Sequence, residues 1–522
     1  MIKRQQPDMS IRGVASPTGT TEAVGGMPAA ATRDGKPTSL LFAIVTLLLI
    51  IAVLGIGFLG YHAPLQLMMG AGLCIALLAA AIRGVPYARA EAAAFDMIRQ
   101  GMQSVMIFMA VGALIAAWIL SGTVPTLIDL GVNLIHPVVF LPTAIVLCAL
   151  TSFVNGTNFG TVATIGLALM GVATALGVPA GVAAGAIVSG AIFGDKMSPV
   201  SDTTVLAAGL GDIPLFTHIK HMMWTTVPAI LVTLLVFTGL GFQYTSDSGT
   251  TARVHSVTTA LHTGFAIGWV PLIPPVLVFA LLIARIEALP ALMSGVGAGV
   301  LVAVFYQGVD VTTTLTALWN GYVPTHAQTA AAGMLGGGET GGALKLLGLA
   351  AIVIFALATA GALAAAGIMQ AFLTALQPRC GTPKRLLPVS LALAAVLNVV
   401  GGAVNFAVAM TVTMLRPLYD AQGLPRRNLT RASEDAGNTT GALIPWNATG
   451  VFTAAALGVS TATYAPWSLF CFLTPLISLV YGLTGFTITN GPASDQPETL
   501  AAAGLLEDSP ATHAQAVVSR AT

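Results

Sequence analysis

The chain has 522 residues, of which 56% are hydrophobic and 8% charged, with 21 Lys+Arg against 20 Asp+Glu; an average soluble domain carries roughly 25% charged residues. This composition excludes a soluble globular enzyme and a disordered chain, and a net charge of +1 leaves no basic domain for nucleic acid. Long apolar runs recur, each sufficient at ~1.5 Å per residue to cross ~30 Å of hydrocarbon, so the lipid bilayer is the first expected partner.

Residues 1–38, rich in Pro, Gly and Thr with mixed charge and no apolar segment, read as a disordered cytoplasmic tail. Residues 39–138 carry the first membrane helices, at about 40–60, 64–82 and 101–121, with Glu91, Asp96 and Arg99 in a charged loop between two of them. Residues 139–211 form a first core of two interrupted apolar stretches, 139–178 and 179–211. His218 and His221, flanking Lys220, read as a solvated loop. Spans at 222–242, 265–284, 289–306 and 344–366 fill the section 222–366, around an external loop over 308–342 that has no Lys or Arg. Residues 386–462 form a second interrupted core (386–415 and 425–462), 466–486 a last helix, and 487–522 a cytoplasmic tail. Gly295, Gly297 and Gly299 permit close helix contact. Cys74, Cys148, Cys380 and Cys471 lie far apart and read as buried hydrophobes, so no cofactor is expected.

Short loops with Lys and Arg favour the cytoplasm. A cytoplasmic N-terminus places Arg83, Arg89, Arg99, Lys220, Arg285, Arg379, Lys384, Arg385, Arg416, Arg426, Arg427 and Arg431 inside, against Arg253 and Lys345 outside, with Lys196 in the membrane zone.

Polar and Gly residues break the two cores at Asn155–Asn158, Asp195–Asp202, Asn398–Asn405 and Asn438–Asn447. Broken backbone at membrane depth survives only where it is buried or lines a site. The breaks also repeat: Ala-Leu-Gly-Val-Pro179 returns as Ala-Gln-Gly-Leu-Pro425, and Pro199 as Pro445, 246 positions later, while Asn158-Phe159 matches Asn405-Phe406 one position off. In the layout above, Pro179 starts a helix outside and Pro425 one inside. The expected fold is therefore an all-α polytopic membrane protein with an inverted structural repeat and discontinuous helices, the architecture of secondary transporters. Stretches 139–178 and 386–415 read either as re-entrant hairpins or as full spans.

Half-helix ends expose free N–H and C=O groups able to hold an ion or a carboxylate. Around them the breaks gather Asp195, Ser198, Ser201, Asp202, Thr203, Glu434, Asp435, Asn438, Thr439 and Asn447, joined by Asn155, Thr157, Asn158 and Asn405. These are hard oxygen ligands suited to Na⁺ or Li⁺, and a carboxylate that holds either a proton or a cation is sufficient for antiport. Asp202 ranks first and Asp195 second as the Na⁺ ligands, then Glu434 and Asp435. Each has a plainer role: Asp195 paired with Lys196, Asp202 as a helix cap, and Asp435 paired with Arg431 four residues before it.

Gly194-Asp-Lys-Met-Ser-Pro-Val-Ser-Asp-Thr-Thr204, with Asn155-Gly-Thr-Asn-Phe-Gly-Thr161 and Glu434-Asp-Ala-Gly437 followed by Leu443-Ile-Pro-Trp-Asn447, resembles the NhaC-type sodium/proton antiporter family over about residues 40–486. The resemblance implies a multi-pass protein of a bacterial inner membrane that exports Na⁺ (or Li⁺) against proton entry. It also implies a second option, since some relatives exchange organic acids of the malate/lactate type. Family members often carry Gly-Thr-Ser-Trp-Gly-Thr where this chain has Gly156-Thr-Asn-Phe-Gly-Thr161. A homodimer is a further expectation.

Other classes fare poorly. Gly209-Leu-Gly-Asp212 and Tyr419-Asp420 match intramembrane aspartyl protease patterns but in reversed order, and there is no HExxH for a zinc protease. A passive channel would not need abundant carboxylates at a repeat.

Overall fold

The computed structural model describes residues 38–61, 63–244, 248–284, 286–324, 340–376 and 383–488. Expectations for the two tails, for Arg285 and Arg379, and for residues 325–339 of the external loop lie outside them. The described residues are helical, with seven helices long and apolar enough to cross a membrane, or eight if the bent pair Thr461–Trp467 and Leu469–Thr484 forms one span.

The chain opens with α1 (Leu40–Gly55), capped by Ser39 Oγ accepting from the Phe42 N–H, then α2 (Leu65–Ile82) and α3 (Tyr87–Leu120). Glu91, Asp96 and Arg99 belong to α3, which corrects the expected loop. Its first turns carry these charges before the apolar stretch Gly101–Leu120 enters the interior. After α4 (Thr123–Leu134) come α5 (Phe140–Asn155), α6 (Asn158–Leu176), α7 (Ala180–Met197) and α8 (Asp202–Gly211). The middle of the chain forms α9 (Leu215–Gly241), α10 (Ser248–Gly264), α11 (Ile273–Ile283), α12 (Ala288–Phe305), α13 (Val311–Asn320), α14 (Ala343–Ala365) and α15 (Ile368–Leu376). The last part contains α16 (Pro383–Gly401), α17 (Val404–Ala421), α18 (Arg426–Gly437), α19 (Ala448–Leu457) and α20 (Leu469–Thr484).

Four of these elements were not expected: α4, α10, α15, and α13 inside the external loop. His218 and His221 also depart from the solvated-loop reading. Both lie in α9 and are buried, with His218 Nδ1 3.0 Å from Thr430 Oγ1 and His221 Nε2 3.1 Å from Asn428 Oδ1. Likewise Arg431 is fully buried in α18 and is no loop charge.

The two interrupted regions share one series of backbone features. Gly156 and Gly402, Gly177 and Gly423, and Asp212 and Gly458 all have positive φ, each pair 246 positions apart. A left-handed residue ends a helix without a steric clash when it is Gly, and Asp is among the few others that tolerate it. Helix starts keep the same spacing, at Asn158 and Val404, Ala180 and Arg426, and Asp202 and Ala448. Asn158 therefore corresponds to Val404, and Asn405 stands one position beyond. α7 lies so close to α5 that a Cβ at Gly194 would meet the Ala149 carbonyl and the Phe153 nitrogen. Small residues of this kind set helix approach where water supplies no driving force.

Candidate functional site

Each break has a local cause. Ser198 and Ile444 precede Pro199 and Pro445, and both have extended backbone (ψ 131 and 118), because the proline ring disfavours a helical residue before it. α7 thus stops at Met197 and α8 begins at Asp202; α18 stops at Gly437 and, after a 3₁₀ turn at Thr439–Leu443, α19 begins at Ala448. Asp202 is the first helical residue of α8, not its cap; Ser201 stands at the cap position.

Ser201 donates from Oγ to Asp195 Oδ1 at 2.8 Å, and the Asn158 amide donates to Asp195 Oδ2 at 2.7 Å. The carboxylate of α7 is thereby held by the start of α6 on one side and the α7–α8 break on the other. Ser201 Oγ is 3.2 Å from Thr203 Oγ1, and Asn438 Nδ2 donates both to Thr203 Oγ1 (3.1 Å) and to Glu434 Oε2 (3.0 Å). One polar chain thus joins Asn158, Asp195, Ser201 and Thr203 of the first region to Asn438 and Glu434 of the second. Asn158 Oδ1, Asn438 Oδ1 and Glu434 Oε1 are buried along this chain with no protein donor. Buried acceptors are normally satisfied, so three such oxygens beside a buried carboxylate make a set able to receive a cation or a proton.

Lys196 does not pair with Asp195. Its Nζ lies 3.0 Å from Asp435 Oδ1, both side chains fully buried, and Thr225 Oγ1 donates to the same oxygen at 2.9 Å. Arg431 Nε is more distant from Asp435, at 3.9 Å. Asp435 is therefore neutralised mainly from the first region, by a residue 239 positions earlier.

A cavity of about 280 Å³ reaches Asp195, lined also by Thr157, Asn158, Ser201, Asp202, Thr203 and Asn405. Asp202 and Asn405 are exposed there, while Asp195 is 3% exposed. The remaining candidates serve the breaks themselves. Asn155 Oδ1 accepts from the Thr157 N–H, Ser198 Oγ donates to the Phe153 carbonyl, and Thr439 Oγ1 donates to the Asp435 carbonyl. Asn447 Oδ1 caps α19 by accepting from the Thr449 N–H, and its Nδ2 donates to Asn398 Oδ1 at 3.2 Å. Asn398 in turn donates to the Gly437 carbonyl and to Thr440 Oγ1, tying the α16–α17 break to the end of α18.

Sequence reasoning missed Thr225 and the true partner of Lys196. A lysine inside an apolar break was the available signal, since such a charge needs a buried partner. Asp212 and Asp420, the aspartates of the protease patterns, both pair with Arg426 at 51% and 38% exposure. They are surface ion-pair partners, away from the buried network.

The model of the Na⁺/H⁺ antiporter family matches residues 36–208 and 190–486. The chain is 35% identical to the Na⁺/H⁺ antiporter NhaC of Bacillus subtilis over 423 residues, 81% of this chain and 92% of that protein. It is 33% identical to the malate-2H⁺/Na⁺-lactate antiporter of the same organism, over 85% of this chain and 95% of the relative. With the arginine/ornithine antiporter ArcD of Halobacterium salinarum the identity is 29%, over 77% and 83%. A match to both halves of the chain, around helices broken at paired polar sites, makes this protein a member of the Na⁺/H⁺ antiporter family.

Proposed function

We propose that this protein exchanges Na⁺, with Li⁺ as a further candidate, for protons across a bacterial inner membrane. The observation that carries the reading is the Asp195 carboxylate, buried at the end of a cavity and held by Ser201 and Asn158 beside acceptors that lack donors. Deprotonated, Asp195 binds Na⁺ with oxygens of Asn158, Ser201 and Thr203; protonated, it releases the ion. Asp202, exposed at the cavity, attracts the cation toward that site, and Glu434, linked through Asn438 and Thr203, is the second region's carboxylate on the same polar chain.

The constant 246-residue spacing supports two structural repeats. We place them in opposite senses across the bilayer, with both termini cytoplasmic and the assembly as a homodimer. Access alternates as the repeats move against the remaining helices.

In liposomes holding the purified protein and an internal pH dye, addition of Na⁺ outside an acidic lumen should raise the internal pH. A flat dye trace with Na⁺ and with Li⁺ would overturn the reading. The malate/lactate relative at 33% identity supports a second reading, under which Na⁺ acts only together with an organic acid; adding malate and lactate to the same liposomes separates the two.

A further inference from the structure

The structure holds a second, larger cavity of about 730 Å³, and it does not connect to Asp195. It reaches the surface at the exposed residues Lys345 and Ser460. Three phenylalanines pack together beside residues that line the two cavities. Phe108 of α3, Phe159 of α6 and Phe452 of α19 touch pairwise, with ring centroids 5.9, 5.1 and 4.9 Å apart. Phe108 and Phe452 are fully buried, and Phe159 faces the Asp195 cavity.

On α3 and α6 the ring is followed along the helix by the lining of the larger cavity and preceded by that of the Asp195 cavity. On α3, Ile107 lines the Asp195 cavity, Phe108 follows, and Ile115 lines the larger cavity. On α6 the order is Asn158, Phe159, Met170; on α19 Thr449 lines the Asp195 cavity, and Phe452 sits between Val451 and Ala455, which both line the larger one. Three packed rings, one from each helix, thus lie where residues lining the two spaces come together.

We propose that Phe108, Phe159 and Phe452 form the gate that keeps the ion site closed to the larger cavity. This rests on the antiport reading above, for which it supplies the barrier that coupling requires. An ion crossing packed rings would lose its hydration with no polar group to replace it, and apolar constrictions of this kind exclude water and ions alike. The rings come from three separate parts of the chain: one repeat region each for Phe159 and Phe452, and α3, outside both, for Phe108. Any movement of either region against α3 parts them. The step that turns the site toward the larger cavity therefore opens the gate as well, and in the present state the site communicates with its own cavity alone.

The test measures radioactive Na⁺ entry and proton exit together in liposomes containing the full-length protein. In the wild type the two fluxes keep a fixed ratio. In Phe452→Ala and Phe159→Ala the Na⁺ flux should continue without its proton counterflow, raising the ratio above the wild-type value, with Phe452→Leu intermediate because it still fills the site with an apolar side chain. A ratio equal to the wild type in folded alanine variants, or loss of both fluxes, overturns the gate while leaving antiport intact. Should the alanine variants fail to insert, Phe452→Leu decides: a raised ratio supports the gate and an unchanged one overturns it. Absence of coupled flux in the wild type would instead overturn the antiport reading itself.

Discussion

Lys196 and Asp435 meet across the two broken-helix regions as a fully buried ion pair, Nζ to Oδ1 at 3.0 Å. The pair does two things at once. It neutralises a fully buried carboxylate, and it fastens α7 to α18. Removing one partner of such a pair leaves an uncompensated charge, whereas removing both does not.

Lys196→Ala should therefore cost about 3–5 kcal/mol of stability, seen as a large fall in the unfolding temperature in detergent. Lys196→Met combined with Asp435→Leu should recover most of that loss. A double variant as unstable as the sum of the single ones would show that the two residues act independently.

Ser201 donates to Asp195 at 2.8 Å, and hydrogen bonds to charged groups are worth about 1.5–3 kcal/mol. In Ser201→Ala the carboxylate loses its tether to the α7–α8 break. The Na⁺ concentration for half-maximal exchange should rise roughly tenfold, with the amount of folded protein unchanged, as read by titrating Na⁺ against the dye signal.

Gly194 and Gly297 separate tight helix contact from mere glycine content. A Cβ at Gly194 would meet the backbone of α5, while one at Gly297 would meet nothing within 4 Å. Gly194→Ala should lower stability by about 1–3 kcal/mol through overpacking, and by displacing α7 it should also impair exchange through the adjacent Asp195. Gly297→Ala should match the wild type in thermal unfolding.

Much of this was legible in the sequence because lipid is a strict solvent. Apolar runs marked α2, α12 and α14 within a residue or so, and the Asn, Gly and Pro residues that broke other runs marked the site. α10 and α13 escaped notice because their polar residues give no such run. α9 begins at Leu215, earlier than the expected 222, because Lys220 and the two histidines, read as a solvated loop, belong to the helix. Those histidines find Thr430 and Asn428 on α18, partners more than 200 positions away. Local pattern cannot supply contacts at that distance, and the Lys196–Asp435 pair was lost for the same reason. The sequence ranks Asp202 above Asp195, with a helix cap before Thr203-Thr204 as its plainer role. The structure gives Asp195 two donors and burial, and leaves Asp202 at the surface of the cavity.

The most direct measurement compares Asp195→Asn with Asp202→Asn in the dye-loaded liposomes. Asp195→Asn should abolish the Na⁺-dependent rise in internal pH at every Na⁺ concentration. Asp202→Asn should keep the same maximal rate while needing more Na⁺ to reach it, since it loses a charge that attracts the ion and not the group that holds it. Full exchange in Asp195→Asn, with loss in Asp202→Asn, would contradict the account and move the ion site to the cavity surface.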